Sequence, residues 1–178
     1  MARSTPARTK KQRGTPKERG TRAARSTAAA DAANAWRQRV SKDAATTIDA
    51  VVAHVLAVVE EQLGRHGQFP AFLVTARRDG EYELDTLPAE QLAELAPAAA
   101  LQALRDKAAA VRDGVLCAAV AFPATLPDRS GQSAVAAQVE HREGEALTVL
   151  QPYRLRGAER SVGFDDVVVE PAESWLWP

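Results

Sequence analysis

The chain has 178 residues, enough for one domain with an appendage and too few for two ordinary domains. Its 23 Lys and Arg balance 23 Asp and Glu, but unevenly: residues 1–40 hold 11 basic side chains against Glu18 and Asp31, and residues 41–178 hold 12 against 21. The single cysteine, Cys117, excludes an internal disulfide and a CxxC metal or redox motif, and no apolar run approaches the ~18 residues of a membrane span.

Residues 1–33 contain no Val, Ile, Leu, Phe, Tyr or Trp. Nothing there offsets the ~1–2 kcal/mol per residue that ordering a backbone costs. The expectation is a disordered basic N-terminal tail over residues 1–40, followed by a single α+β domain over residues 41–178. The charged start is followed by no apolar h-region, so no secretory signal is expected. Pro6, Gly14, Pro16 and Gly20 interrupt the amphipathic helix that an organellar leader forms. The protein is placed in the cytoplasm. Arg3, Arg8, Lys10, Lys11, Arg13, Lys17, Arg19, Arg22 and Arg25 can neutralise phosphates and release counterions, which makes nucleic acid or an acidic protein the expected partner of the tail. Without an aromatic residue, residues 1–33 cannot stack bases.

Ser41 is placed to cap a helix, with Asp43 in its first turn. Ile48, Val51, Val52, Val55, Val58, Val59 and Leu63 recur at helical spacing and give one apolar face, which Gly64 and Gly67 end. Two strand-like runs follow, AFLVTAR over 71–77 and EYELDT over 81–86, joined by Arg78-Asp79-Gly80. A three-residue loop with glycine in the left-handed third position sets Phe72, Val74 and Ala76 opposite Thr86, Leu84 and Tyr82. Pro88 suits the first turn of a helix, and Pro97 divides the next region into a short helix and a longer one. The longer helix is expected to bury Leu101, Leu104, Ala108 and Val111, with Gly114 capping its end.

The run VLCAAVAF over 115–122 is continuously apolar, as in a strand covered on both faces. Residues 123–132, PATLPDRSGQ, are rich in turn formers and predict a loop. The stretch QVEHREGEALTV over 138–149 then predicts a second hairpin. A three-residue loop at Arg142-Glu143-Gly144 pairs Val139 with Leu147, Ala137 with Val149, and Val135 with Gln151. A two-residue loop would oppose Glu140 to Leu147 and Gln138 to Val149, so turn chemistry and apolar pattern select one register. Pro152 is expected to end that strand or hold it at an edge. Residues 161–170 supply a last strand. The resulting fold class is α+β: an antiparallel sheet of five or six strands with two main helices, in the order α-β-β-α-β-β-β.

Chemistry is less plainly written. His141 stands among three carboxylates, which suits a general base or a metal ligand. Neighbouring strand residues point to opposite faces, however, so Glu140 and Arg142 point away from it. Its cross-strand neighbour is Glu145, and the expected result is a surface charge pair worth ~0.2–1 kcal/mol at a hairpin tip. His54 lies off its helix's apolar face and His66 in a glycine-flanked turn. The three histidines and Cys117 lack the close spacing of a metal site, and Cys117 reads as an inert buried thiol. Ser130 and Arg129 would line a small-molecule pocket if one exists, but no nucleophile elbow, Walker loop or dinucleotide fingerprint is present. No catalytic residue, metal or cofactor is assigned.

Trp175, Leu176 and Trp177 are expected to pack on the core. Exposed, Trp175 and Trp177 would instead mark a partner surface. Taken together, the sequence predicts a non-enzymatic interaction or regulatory domain, able to form a homodimer, whose basic tail contacts nucleic acid or an acidic partner. No membrane is involved. The rival expectation is a small-ligand sensor or enzyme with a pocket between the sheet and its helices.

Overall fold

The computed structural model describes residues 34–178, so the tail cations from Arg3 to Arg25 lie outside the described residues. The described chain opens with a 3-10 turn at Ala35–Gln38 that buries Trp36 in the main core. The folded unit therefore takes in residues that the charge count assigned to the tail. An indole needs an apolar site, and Trp36 finds one among Ile48, Val51 and Val55.

Helix α1 (Lys42–His66) starts at Ser41, whose hydroxyl accepts from the Ala44 N–H, and closes at Gly67 in the left-handed conformation, φ 72°. Its buried stripe, Ile48, Val51, Val55, Val59 and Leu63, keeps the expected three- and four-residue spacing. Strands β1 (Phe72–Arg77) and β2 (Tyr82–Thr86) form the first hairpin, with Gly80 at φ 89°. Helices α2 (Ala89–Glu94) and α3 (Pro97–Val111) meet at Pro97, which occupies the first turn of α3. Strands β3 (Val115–Leu126), β4 (Gln132–His141), β5 (Glu145–Arg156), β6 (Ser161–Phe164) and β7 (Val168–Pro171) complete the chain.

The seven strands form one antiparallel sheet in the order β2-β1-β3-β4-β5-β6, and β7 pairs with β5 beside β6. Both hairpins take the registers that their loops dictate. Phe72, Val74 and Ala76 face Thr86, Leu84 and Tyr82, and Val139, Ala137 and Val135 face Leu147, Val149 and Gln151. Period-two alternation then splits the core in two. One face of β1, β3, β4 and β5 packs under α1, through residues such as Phe72, Val74, Ala119, Ala137, Val139 and Leu147. The other face packs under α3 and the segment that follows β7, through Leu73, Leu104, Ala118, Val120 and Leu176.

Four local expectations give way. Residues 123–126 continue β3 instead of starting a loop, because Gln132–Val135 return beside them and supply a partner for each. Pro152 does not end β5 but lies within it, paired with Ala134. The carbonyl of Pro152 accepts from Asp165 N at 3.0 Å, so its missing N–H faces the gap between β7, which covers Leu147–Leu150, and β6, which covers Tyr153–Arg156. That same gap divides the single last strand expected over 161–170. Asp165 turns its backbone towards Pro152 and Gln151 and breaks the ladder into β6 and β7. Finally, α3 buries Ala100, Leu104 and Ala108, four residues apart, which leaves Val111 exposed; Gly114 ends a 3-10 turn and takes no positive φ.

Candidate functional site

The end of the β4–β5 hairpin gathers most of the buried polar side chains of the described chain: Glu140, His141 and Glu145 are all nearly inaccessible. Alternation sends them to two different faces. His141 and Glu145 lie on the α1 face, and Glu140 lies on the α3 face.

On the α1 face, His141 is the cross-strand partner of Cys117 on β3 and of Glu145 on β5. The expected surface pair of His141 with Glu145 is not what forms. Glu145 takes its cation from Arg39, which donates from Nε at 3.1 Å to Oε2 and from Nη2 at 2.5 Å to Oε1. This two-pronged arrangement suits a guanidinium better than an imidazole. The Nδ1 of His141 instead accepts the Glu143 N–H at 3.2 Å, which leaves the ring proton on Nε2. Burial pushes the imidazole below its ordinary pKa, with Arg142 acting in the same direction and Glu143 opposing. The Cys117 thiol is fully buried, and desolvation, aided by the Glu140 charge, raises its pKa. A thiolate–imidazolium pair needs the opposite shifts. A neutral ring beside a protonated thiol packs the sheet.

Glu143, at the loop, makes the other link. Its Oε1 accepts from Ser41 Oγ at 2.8 Å and its Oε2 from Ser41 N at 3.1 Å, and these bonds draw its carboxyl below the usual range. In a helix capping box, a Glu at the third helical position bonds back to the N-cap N–H. Here that position holds Ala44, and Glu143 does the work from 102 residues away. Together with Arg39–Glu145, this clamps the entry to α1 onto the hairpin loop. Arg37 lies over the Trp36 ring at 4.5 Å and forks onto Asp49 at 2.5 and 2.6 Å, which braces the same segment.

On the α3 face, Glu140 is completely buried, and among the described residues no cation is bonded to its carboxylate. Four donors from one short segment surround it instead: Ser174 Oγ at 2.5 Å, Trp175 N at 2.7 Å, Leu176 N at 2.8 Å and Trp177 N at 3.0 Å. Successive amides converging on one carboxylate form an anion-binding concavity. The segment is pinned by Leu176, buried against the α3 core, with Trp175 and Trp177 half-buried to either side. Arg105 of α3 lies 5.9 Å over the Trp175 ring and bonds Gln138 on the same sheet face as Glu140. Both tryptophans are thus partly covered by the body, and Leu176 is the residue that is fully sealed. Sequence reasoning missed Glu140 as a centre. Its one signal was a carboxylate on a strand with both faces covered, and no pattern in the sequence locates the donors 34 to 37 residues further on.

The remaining candidates are scattered. His54 is exposed, bonds the Ala50 carbonyl through Nδ1 at 2.8 Å and stacks on Tyr82 at 4.0 Å. His66 is the exposed last residue of α1. Ser130, at φ 57°, lines an open cleft of about 630 Å³ with Gln132, Arg154, Phe164, Asp165 and Asp166. This cleft lies at one end of β4, β5 and β6, not between the sheet and the helices. Its polar groups already serve one another: Asp165 accepts from Gln132 at 2.6 Å and pairs with Arg154 at 3.3 Å. Among the described residues, no group of three or more His, Cys, Asp or Glu is placed to hold a metal ion, and no helix is long and apolar enough to cross a membrane. Comparison with known proteins finds no matching family model, no matching curated protein and no matching solved structure.

Proposed function

We propose that this chain is a non-enzymatic interaction protein in which the α+β body supports a basic segment that contacts a polyanion, nucleic acid first among them. The observation that carries this reading is the clamp at the start of the body. Buried Trp36, the Arg39–Glu145 pair and the Ser41–Glu143 bonds fix the point to which residues 1–33 are joined. The same contacts sort the arginines. Arg37 and Arg39 are taken by Asp49 and Glu145, so the reading rests on the nine cations before them. Residues 1–33 carry nine basic and two acidic side chains, and residues 34–178 carry 14 and 21. An acidic body repels a polyanion, which leaves contact to the basic segment. Cytoplasmic location belongs to the same proposal.

The test is anisotropy of a labelled DNA duplex titrated with the full chain across a salt series. Binding is expected at low salt, with log K falling by roughly 0.9 per phosphate contacted for each unit of log salt. Changing Arg8, Lys10, Lys11 and Arg13 to Gln together should flatten that slope by about 3 to 4. A slope that the four changes leave intact would remove nucleic acid from the proposal. Binding to an acidic protein in place of DNA would retain the segment and change its partner.

A further inference from the structure

We propose that the β2 edge of the sheet receives an extended segment of a partner protein in which basic and apolar residues alternate. This goes beyond the reading above, since it concerns the folded body and not the basic segment. β2 stands at one end of the strand order, with no strand beyond it among the described residues, and four of its five residues are exposed. The ladder fixes which main-chain groups are open. Arg77 N donates to Glu81 O at 2.8 Å, so alternation bonds Thr75 with Glu83 and Leu73 with Asp85, and it turns the N–H and C=O groups of Tyr82, Leu84 and Thr86 outward. Lys107 Nζ takes the Thr86 carbonyl at 3.1 Å, which leaves the groups of Tyr82 and Leu84 as the pairing row.

The side chains of this strand state what they accept. On the α1 face, Tyr82 and Leu84 are 39% and 54% exposed, two large apolar residues on one short strand. The opposite face carries Glu83 and Asp85, with Glu81 just before them. Arg77 and Lys107 neutralise Glu83 and Asp85 only partly, since both carboxylates keep about half of their surface in water. A strand added here lays alternate side chains on the two faces, so its basic residues meet the acidic row and its apolar residues meet Tyr82 and Leu84. A second copy of this chain does not fit. Antiparallel pairing of two β2 edges about Leu84 sets Glu83 of one copy against Asp85 of the other, and like charges directly opposite are unfavourable.

The experiment adds labelled peptides of roughly eight residues, a strand's length, to the full-length protein. One peptide alternates Lys and Val, one alternates Glu and Val, and one is the Lys–Val peptide with a central Val changed to Pro. The Lys–Val peptide should bind and slow amide exchange over Tyr82–Thr86, and the other two should bind at least about tenfold more weakly. Glu83→Lys should lower its affinity about tenfold and Leu84→Ser several-fold, while Leu155→Ser, at the opposite side of the sheet, changes nothing. Glu83 and Leu84 are exposed, so these variants should fold, which circular dichroism checks directly. The proposal is overturned if the Lys–Val peptide fails to bind, if the Pro or Glu–Val peptide binds as well, if Leu155→Ser matters as much as Leu84→Ser, or if protection falls outside β2. A homodimer whose interface maps to β2 overturns it too. The basic segment repels the Lys–Val peptide, so this result is independent of the DNA titration.

Discussion

Glu140 and Glu145 sit five residues apart on one hairpin, both nearly sealed from water, and the fold satisfies them by opposite means. Glu145 meets Arg39, whose side chain is half in solvent. Glu140 collects four uncharged donors from one short run of chain. An arginine at a surface is adaptable and screened by salt, whereas a set of main-chain amides is fixed by the path of the backbone. The first arrangement tolerates change, and the second ties a buried charge to the folding of a distant segment.

Removing the carboxylates should separate the two arrangements most widely. Glu140→Ala leaves three main-chain N–H groups and one hydroxyl without their acceptor, at a cost of about 3 kcal/mol or more in urea unfolding. It should also shift tryptophan fluorescence, because Trp175 and Trp177 lose their hold. Glu145→Ala should cost clearly less, since Arg39 can turn to water. Equal losses would show that the amide set has no special place in the fold. A smaller effect concerns the neighbouring clamp. Ser41→Ala removes the helix cap and the hydroxyl that Glu143 accepts, and should cost about 1 kcal/mol. Glu143→Gln keeps the shape and should cost less than Ser41→Ala; the reverse order would deny the shared cap.

The smallest expected effect is a change of slope with pH. His141 is held below its ordinary pKa in the fold, so as the pH falls the unfolded chain takes up the proton first. Stability from the neutral ring is complete above about 6.5 and is lost progressively as the pH falls from there towards the folded value. Glu143, held below the usual carboxylate range, adds its own loss only in more acid solution. His141→Gln should therefore flatten the stability curve between about pH 7 and pH 5 while leaving the acid limb in place. An unchanged slope would mean that the ring is as well solvated in the fold as outside it.

What was legible in the sequence followed local rules. Gly80 and Gly144 fixed two hairpin loops, and the apolar alternation of Phe72, Val74, Val139 and Leu147 allowed one register for each. Ser41 announced the start of α1 and Pro97 the break between α2 and α3. What escaped was decided by neighbours far along the chain. Pro152 lies inside a strand only because β6 and β7 leave a gap opposite it. Residues 34–40 read as tail because two of them are arginines, and their partners, Asp49 and Glu145, are visible only once the hairpin is folded. For His141 the expected partner was wrong, because a guanidinium grips Glu145 better than an imidazole can.

The cap shared by Ser41 and Glu143 also bears on synthesis. A ribosome finishes α1, at His66, 77 residues before it makes Glu143, the glutamate that completes that helix's beginning. During that interval the newborn helix has one end half-closed and its apolar stripe uncovered, since most of the sheet it will rest on has not yet emerged. Closure of the second hairpin then serves two ends in one event: it adds central strands and seals the helix start, so the body's two oldest and youngest halves become stable together.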